Sequence, residues 1–127
     1  MDSPQQALLE ELYAAFNARD IPALLDAMTE NVEWPNGWEG GTVHGREQVR
    51  DYWLRQWAEI NPTVTPEGFA EEPDGRIAVT VHQVVRGKDD ALLADQMVTH
   101  VYRFSGARVQ AMEIRTPAAS ETRPQQA

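Results

Sequence analysis

The chain has 127 residues, 42% of them hydrophobic, with four Trp, no Cys, and 20 acidic against 11 basic side chains for a net charge of −9. That length fits one domain with one core, and the apolar share excludes a disordered chain, while the charge repels phosphate backbones and anionic lipid and so excludes nucleic acid and membrane surfaces as expected partners. The lack of Cys excludes a disulfide frame, a thiolate metal site and a thiol nucleophile; with no basic leader at Met1-Asp2-Ser3-Pro4 and no run of about 18 apolar residues, the expected location is the cytoplasm.

Ser3 and Gln6 have capping-box spacing around Pro4, and Leu8, Leu9, Leu12, Tyr13, Ala15 and Phe16 recur at helical intervals, which predicts a first helix to about Arg19. Asp20 then caps a short second helix with Pro22 in its first turn and Leu24, Leu25 and Met28 toward the core. Val32 to Trp34 reads as a short strand, followed by an irregular loop with Pro35, Gly37, Trp38, Gly40 and Gly41. From Arg46 a third helix puts Val49, Trp53, Trp57 and Ile60 on one stripe until Asn61-Pro62 stops it.

After Pro62 the period changes. Stretches 63–72, 76–86, 91–104 and 108–116 read as strands between turn residues, the first an edge or irregular strand because it contains Pro66, the last three a meander. Residues 117–127 have no apolar period and read as a flexible tail behind a single domain over 1–116. Helix, helix, strand, helix and a run of strands implies a sheet curved around helices that cover one of its faces.

Three segments, Val32-Glu33-Trp34-Pro35-Asn36-Gly37, Val43-His44-Gly45-Arg46-Glu47-Gln48-Val49 and His100-Val101-Tyr102-Arg103-Phe104 with Arg108-Val109-Gln110-Ala111-Met112, together resemble ketosteroid isomerase. The order of elements from about residue 4 to 116 is similar to the nuclear transport factor 2 superfamily, which includes the SnoaL-like polyketide cyclases. The resemblance implies an α+β cone: three N-terminal helices packed on a curved, mainly antiparallel sheet.

The isomerase's chemistry does not carry over residue by residue. Where that family has its base aspartate this chain has Trp34, an indole that cannot take a proton. The oxyanion tyrosine falls on Leu12, with Tyr13 beside it, and its two supporting tyrosines fall near Met28 and on Trp53. The second aspartate corresponds to His100, a hydrogen-bonding group whose imidazole would be neutral if buried without an acid partner. The catalytic aspartate of the SnoaL-like cyclases falls on Ile114, with Glu113 directed to the opposite face.

Strand alternation sorts the remaining candidates. If His100 points inward, so do Gln96, Val98, Tyr102 and Phe104, together with Ile77, Val79, Val81, Gln83 and Val85 on the preceding strand. The last strand offers Val109, Ala111 or Met112, and Ile114, depending on a local bulge. The implied pocket is apolar and aromatic, lined by Tyr13, Phe16, Trp34, Trp53, Trp57, Gln83, Gln96, Val98, Tyr102, Met112 and Ile114, with His100 as the candidate catalytic group. Each of these also has a bland reading: His100 as a core histidine bonded to backbone, the Trp residues as core filling. His44 reads as serving the turn before the third helix. No metal or cofactor is implied, since His44, His82 and His100 lack ligand spacing and the glycines match no phosphate-binding motif.

Three functions remain open: a SnoaL-like protein binding a small hydrophobic molecule, with isomerisation, cyclisation or hydration as candidate reactions; a non-catalytic binding or assembly domain; and a ketosteroid isomerase proper. The resemblance further implies a homodimer through the outer sheet face, which carries Thr80, His82, Thr99, Val101, Arg103 and Arg115.

Overall fold

The computed structural model describes residues 4–36 and 40–115. The expected cap at Ser3, the loop position of Trp38 and the tail over 117–127 lie outside the described residues.

Helix α1 (Pro4–Asn17) buries Leu9, Leu12 and Tyr13 along one stripe. It ends two residues short of Arg19, whose left-handed backbone (φ 60°) closes the helix while its guanidinium donates to the Phe16 carbonyl. Helix α2 (Ile21–Asp26) is capped by Asp20, whose carboxylate accepts from the Ala23 N–H. Strand β1 (Met28–Pro35) is longer than the expected Val32–Trp34.

Strand β2 (Thr42–His44) occupies part of the stretch expected to be irregular. It is only three residues long and buries none of them, so no apolar alternation marks it; pairing with β1, Glu33 opposite His44, makes it a strand. Gly45 turns the chain with φ 85° into helix α3 (Gly45–Glu59); the His44 backbone N–H donates to Gln48 Oε1 at its start, and the His44 side chain makes no capping bond.

Pro62 does not open a break. Strand β3 (Ile60–Glu71) leaves α3 directly and contains both Pro62 and Pro66. With β4 (Ile77–Gly87), β5 (Leu92–Ser105) and β6 (Arg108–Arg115) it completes one sheet in the order β2-β1-β6-β5-β4-β3, antiparallel throughout except where β1 runs parallel to β6. The chain is therefore α+β, three helices on a curved, mainly antiparallel sheet.

Strand β3 forms one edge, and the prolines explain why it can. Val64 gives its N–H to Asn17 Oδ1 (3.0 Å) and takes the Asn17 Nδ2 donor on its carbonyl (2.7 Å), so its backbone faces away from β4. Two residues either side, Pro62 and Pro66 face the same way and have no N–H to expose, and the Pro62 carbonyl is taken by Arg19 Nη2. Register slips just beyond, between Pro66 and Gly68.

The core lies between α1, α3 and the concave face, where Val79, Val81, Val98, Tyr102 and Val109 meet Leu9, Val49 and Trp53. On the convex face Val101 is also buried. Across the register it stands between Ala78 and Glu113, and Glu113 and Glu72 pair with Arg76 and Arg115 along that face.

Candidate functional site

Alternation along β5 brings Val98, His100 and Tyr102 to the concave face, opposite Val81, Val79 and Ile77 of β4. On β6 the bulge falls at Gln110: Tyr102 pairs with Met112 and His100 with Ile114, while Phe104 pairs with Val109. Of the alternatives left open by sequence, Met112 and Ile114 therefore share the face of His100, and Ala111 does not.

Helix α1 supplies the partner. Tyr13 Oη lies 2.7 Å from His100 Nδ1 and 2.7 Å from the hydroxyl of Tyr102, which donates to it. Because Tyr102 fills the acceptor side of the Tyr13 oxygen, the Tyr13 O–H is free to donate to Nδ1, and the single ring proton of a neutral imidazole then sits on Nε2. All three residues are buried, His100 keeping 7% exposure. Nε2 makes no hydrogen bond among the described residues, so the chain Tyr102 to Tyr13 to His100 ends in an uncommitted N–H donor.

Burial sets the electrostatics. It lowers the His100 pKa from 6.5 to about 4, so the ring is neutral at pH 7. It raises Tyr13 far above its ordinary 10, with the neighbouring Tyr102 adding to the effect, and raises Tyr102 as well, so neither hydroxyl ionises. Among the described residues no carboxylate bonds to any of the three, and the trio can donate a hydrogen bond or polarise an oxygen.

Tyr13 and Tyr102, both expected among the inward-facing residues, supply the hydroxyls bonded in line with His100. Leu12, where the resemblance put the oxyanion tyrosine, is buried as plain core, and the adjacent Tyr13 carries the hydroxyl.

The aromatic residues meet one another more than they line open space. Trp34 packs edge-on against Trp53 (5.5 Å between centroids) and tilted against Tyr102 (6.2 Å); Trp53 stacks on Trp57 (5.9 Å), and Phe16 abuts both Trp53 and Trp57. Trp34 and Trp53 are buried, Phe16 and Trp57 half-buried. Val98 and Met112 are likewise core. Gln83 is half-buried and Gln96, its cross-strand neighbour, is exposed, as is Ile114 at 39%. The concave face is thus covered from Val98 to Tyr102 and opens toward Gln83, Gln96 and Ile114. Two surface hollows, about 410 Å³ beside Asp74, Arg76 and Arg103 and about 330 Å³ beside Pro4 and Gly106, lie elsewhere and do not include His100.

Comparison with known proteins agrees with this architecture. The SnoaL-like domain family matches residues 9–112, and the chain belongs to that family. Among solved structures, a nuclear transport factor 2-like protein of unknown function from Burkholderia pseudomallei K96243 superposes with a TM-score of 0.79 at 27% identity, covering 94% of this chain and 95% of that one. TerC, co-crystallized with polyporic acid, gives a TM-score of 0.79 at 22% identity over 94% and 95% of the two chains. SalBIII, an epoxide hydrolase/cyclase-like enzyme in pyran ring formation in the polyether salinomycin, gives 0.76 at 16% identity over 91% and 92%. At those last two identities the likeness is one of fold. No curated protein matches the chain.

Proposed function

We propose that this SnoaL-like domain binds a small hydrophobic molecule bearing a carbonyl or hydroxyl oxygen, and that His100 orients that oxygen through its Nε2–H. The observation that carries the reading is the buried Tyr102–Tyr13–His100 chain, three bonded polar groups set among the apolar side chains of the core. Buried polar groups of this kind are costly unless bonded, and this chain is bonded at one end and open at the other. The open side of the concave face, at Gln83, Gln96 and Ile114, offers entry, with Phe16, Trp34, Trp53, Trp57, Val98 and Met112 as apolar surroundings.

The test is a panel of hydrophobic ketones and phenols followed by melting temperature and Trp fluorescence, since a ligand of the native state stabilises by RT ln(1 + [L]/Kd). Binding that falls at least about tenfold in His100→Leu supports the reading. A panel without response, or one indifferent to that substitution, overturns it.

Catalysis is a second reading, favoured by the neutral donor itself. A fixed N–H aimed at a carbonyl stabilises the charge that grows on oxygen during isomerisation, cyclisation or hydration. Trp34 in the base position and Ile114 in the cyclase aspartate position argue for binding ahead of turnover. We further propose a homodimer through the convex sheet face; a monomer mass by light scattering at micromolar concentration would exclude it.

A further inference from the structure

The turn from β3 into β4 contains a reactive dipeptide. Asp74 precedes Gly75, and in such a pair the glycine nitrogen, unshielded by any side chain, can attack the carboxyl carbon of its own neighbour. The N–Cγ bond forms as a Cγ–O bond breaks, and the carboxyl hydroxyl leaves with the amide hydrogen as water. A second water then opens the succinimide at the Asp74 main-chain carbonyl, breaking its C–N bond to Gly75. The chain now runs through the side-chain carbon as isoaspartate, with unchanged mass and one more carbon in the main chain.

The surroundings leave room for that ring. Asp74 and Gly75 are exposed and line the hollow of about 410 Å³ with Arg76, Arg103 and Phe104, and a Cβ placed on Gly75 would meet nothing within 4 Å. The turn nevertheless holds both reacting groups in place. Arg76 bonds the Asp74 carboxylate through both oxygens, its backbone N–H donating to Oδ1 (3.1 Å) and its Nε to Oδ2 (2.8 Å). The Gly75 N–H donates to the Glu72 carbonyl (2.9 Å), and the Glu72 N–H to the Arg76 carbonyl (2.7 Å). The guanidinium is fixed in turn: Nη1 lies 3.4 Å from Glu113 and Nη2 3.7 Å from Glu72, two carboxylates that Arg115 also pairs. Water leaves from the protonated carboxyl, and the hydrogen bond from the Arg76 N–H, with the guanidinium beside it, holds the Asp74 carboxyl below its ordinary range.

We infer that Asp74-Gly75 is a latent isoaspartate site, kept closed in the folded chain by the grip of Arg76 on the Asp74 carboxylate. Both carboxylate oxygens are engaged, and the attacking nitrogen has its N–H committed within the turn. Ile77, two residues on, begins β4 opposite Tyr102, so the extra carbon would enter the main chain where the strand pair carrying the buried hydroxyl chain starts. This site does not depend on the role given to His100.

The test ages the full chain in buffer, native and unfolded in guanidinium chloride, and digests it with endoproteinase Asp-N, which cuts before aspartate and not before isoaspartate. Loss of the cut at Asp74 measures conversion. Native wild type is expected to convert at least about threefold more slowly than the unfolded chain, and native Arg76→Gln about threefold faster than native wild type, the scale of an exposed charge-assisted contact. In Arg76→Gln the curve of conversion against pH should also move to higher pH, because the carboxyl regains its ordinary range and takes its proton earlier as pH falls. A backbone that is merely looser speeds conversion at every pH and leaves the curve where it was. Should Arg76→Gln fail to fold, Arg76→Lys, which keeps the charge and loses the planar fork, is judged by the same two readouts. Equal rates in native and unfolded wild type, a variant no faster than wild type, or a faster variant with an unmoved pH curve overturns the inference.

Discussion

Ile114 stands directly opposite His100 across β5 and β6, one side chain exposed and the other buried. Opposed residues on one sheet face bring their Cβ atoms to about 4.5–5.5 Å, so a carboxylate at 114 would reach the imidazole. Ile114→Asp is expected to raise the His100 pKa from about 4, because a nearby negative charge favours the protonated ring. The same change installs an acid in the position where SnoaL-like cyclases carry theirs. NMR titration of the imidazole is the check; an unmoved pKa would mean that the aspartate turns to solvent and the pair does not communicate.

Tyr13 occupies the middle of the hydroxyl chain, and its loss should cost more than that of Tyr102. Tyr13→Phe strands both the Tyr102 hydroxyl and His100 Nδ1 in the core, whereas Tyr102→Phe leaves Tyr13 still donating to the ring. With about 1–3 kcal/mol for a stranded buried group, Tyr13→Phe is expected to destabilise by about 2–4 kcal/mol and Tyr102→Phe by about 1 kcal/mol. Urea unfolding of the two variants measures the order. Equal losses would indicate that the His100 contact adds nothing.

Much of this site was legible, and the part that was not has a physical cause. Alternation along β5 assigned Val98, His100 and Tyr102 to one face from sequence alone, because strand side chains simply alternate. Whether Leu12 or Tyr13 faces the site was left open for the opposite reason. Leu12 and Tyr13 are both buried on α1, and which of them meets His100, 87 residues away, depends on how the helix is rotated over the sheet. A step of one residue turns a helical side chain by about 100°, so a register carried over from a family is unforgiving there. The bulge at Gln110 was anticipated as a possibility but only pairing located it, and β2 is too short and exposed to leave a pattern. Trp57 Nε1 is buried without a hydrogen-bond partner among the described residues, and no sequence pattern marks that.

Acid should destabilise the fold through His100. In the unfolded chain the ring takes a proton near pH 6.5, in the native state only near 4, so between these values the unfolded state binds more protons. Stability is therefore complete above about pH 6.5, declines as pH falls, and levels off below about 4, for a total of up to about 3 kcal/mol. Denaturant midpoints measured from pH 7 to 4 in the wild type and in His100→Gln test this. The variant should lose that part of the slope; a slope identical to wild type would assign the acid sensitivity to other groups.

Asn17 guards the sheet edge, and its removal should change association as well as stability. Its amide imitates a neighbouring strand at Val64, giving one hydrogen bond and receiving another, at a place where Pro62 and Pro66 already withhold their N–H groups. An edge so furnished cannot accept a further strand in register, which is how soluble sheets avoid edge-to-edge pairing. Asn17→Ala exposes the Val64 N–H and carbonyl to water and to other chains, with an expected loss of about 1–2 kcal/mol. Exchange of the Val64 amide hydrogen should accelerate markedly in the variant, and light scattering should show a concentration-dependent rise in mass that wild type lacks. Because the prolines remain, pairing through this edge should stay weak, and Asn17→Ala combined with Pro66→Val, which restores an edge-facing N–H, should aggregate more than either change alone. If the double variant scatters no more than the single one, the prolines are not what keeps β3 unpaired.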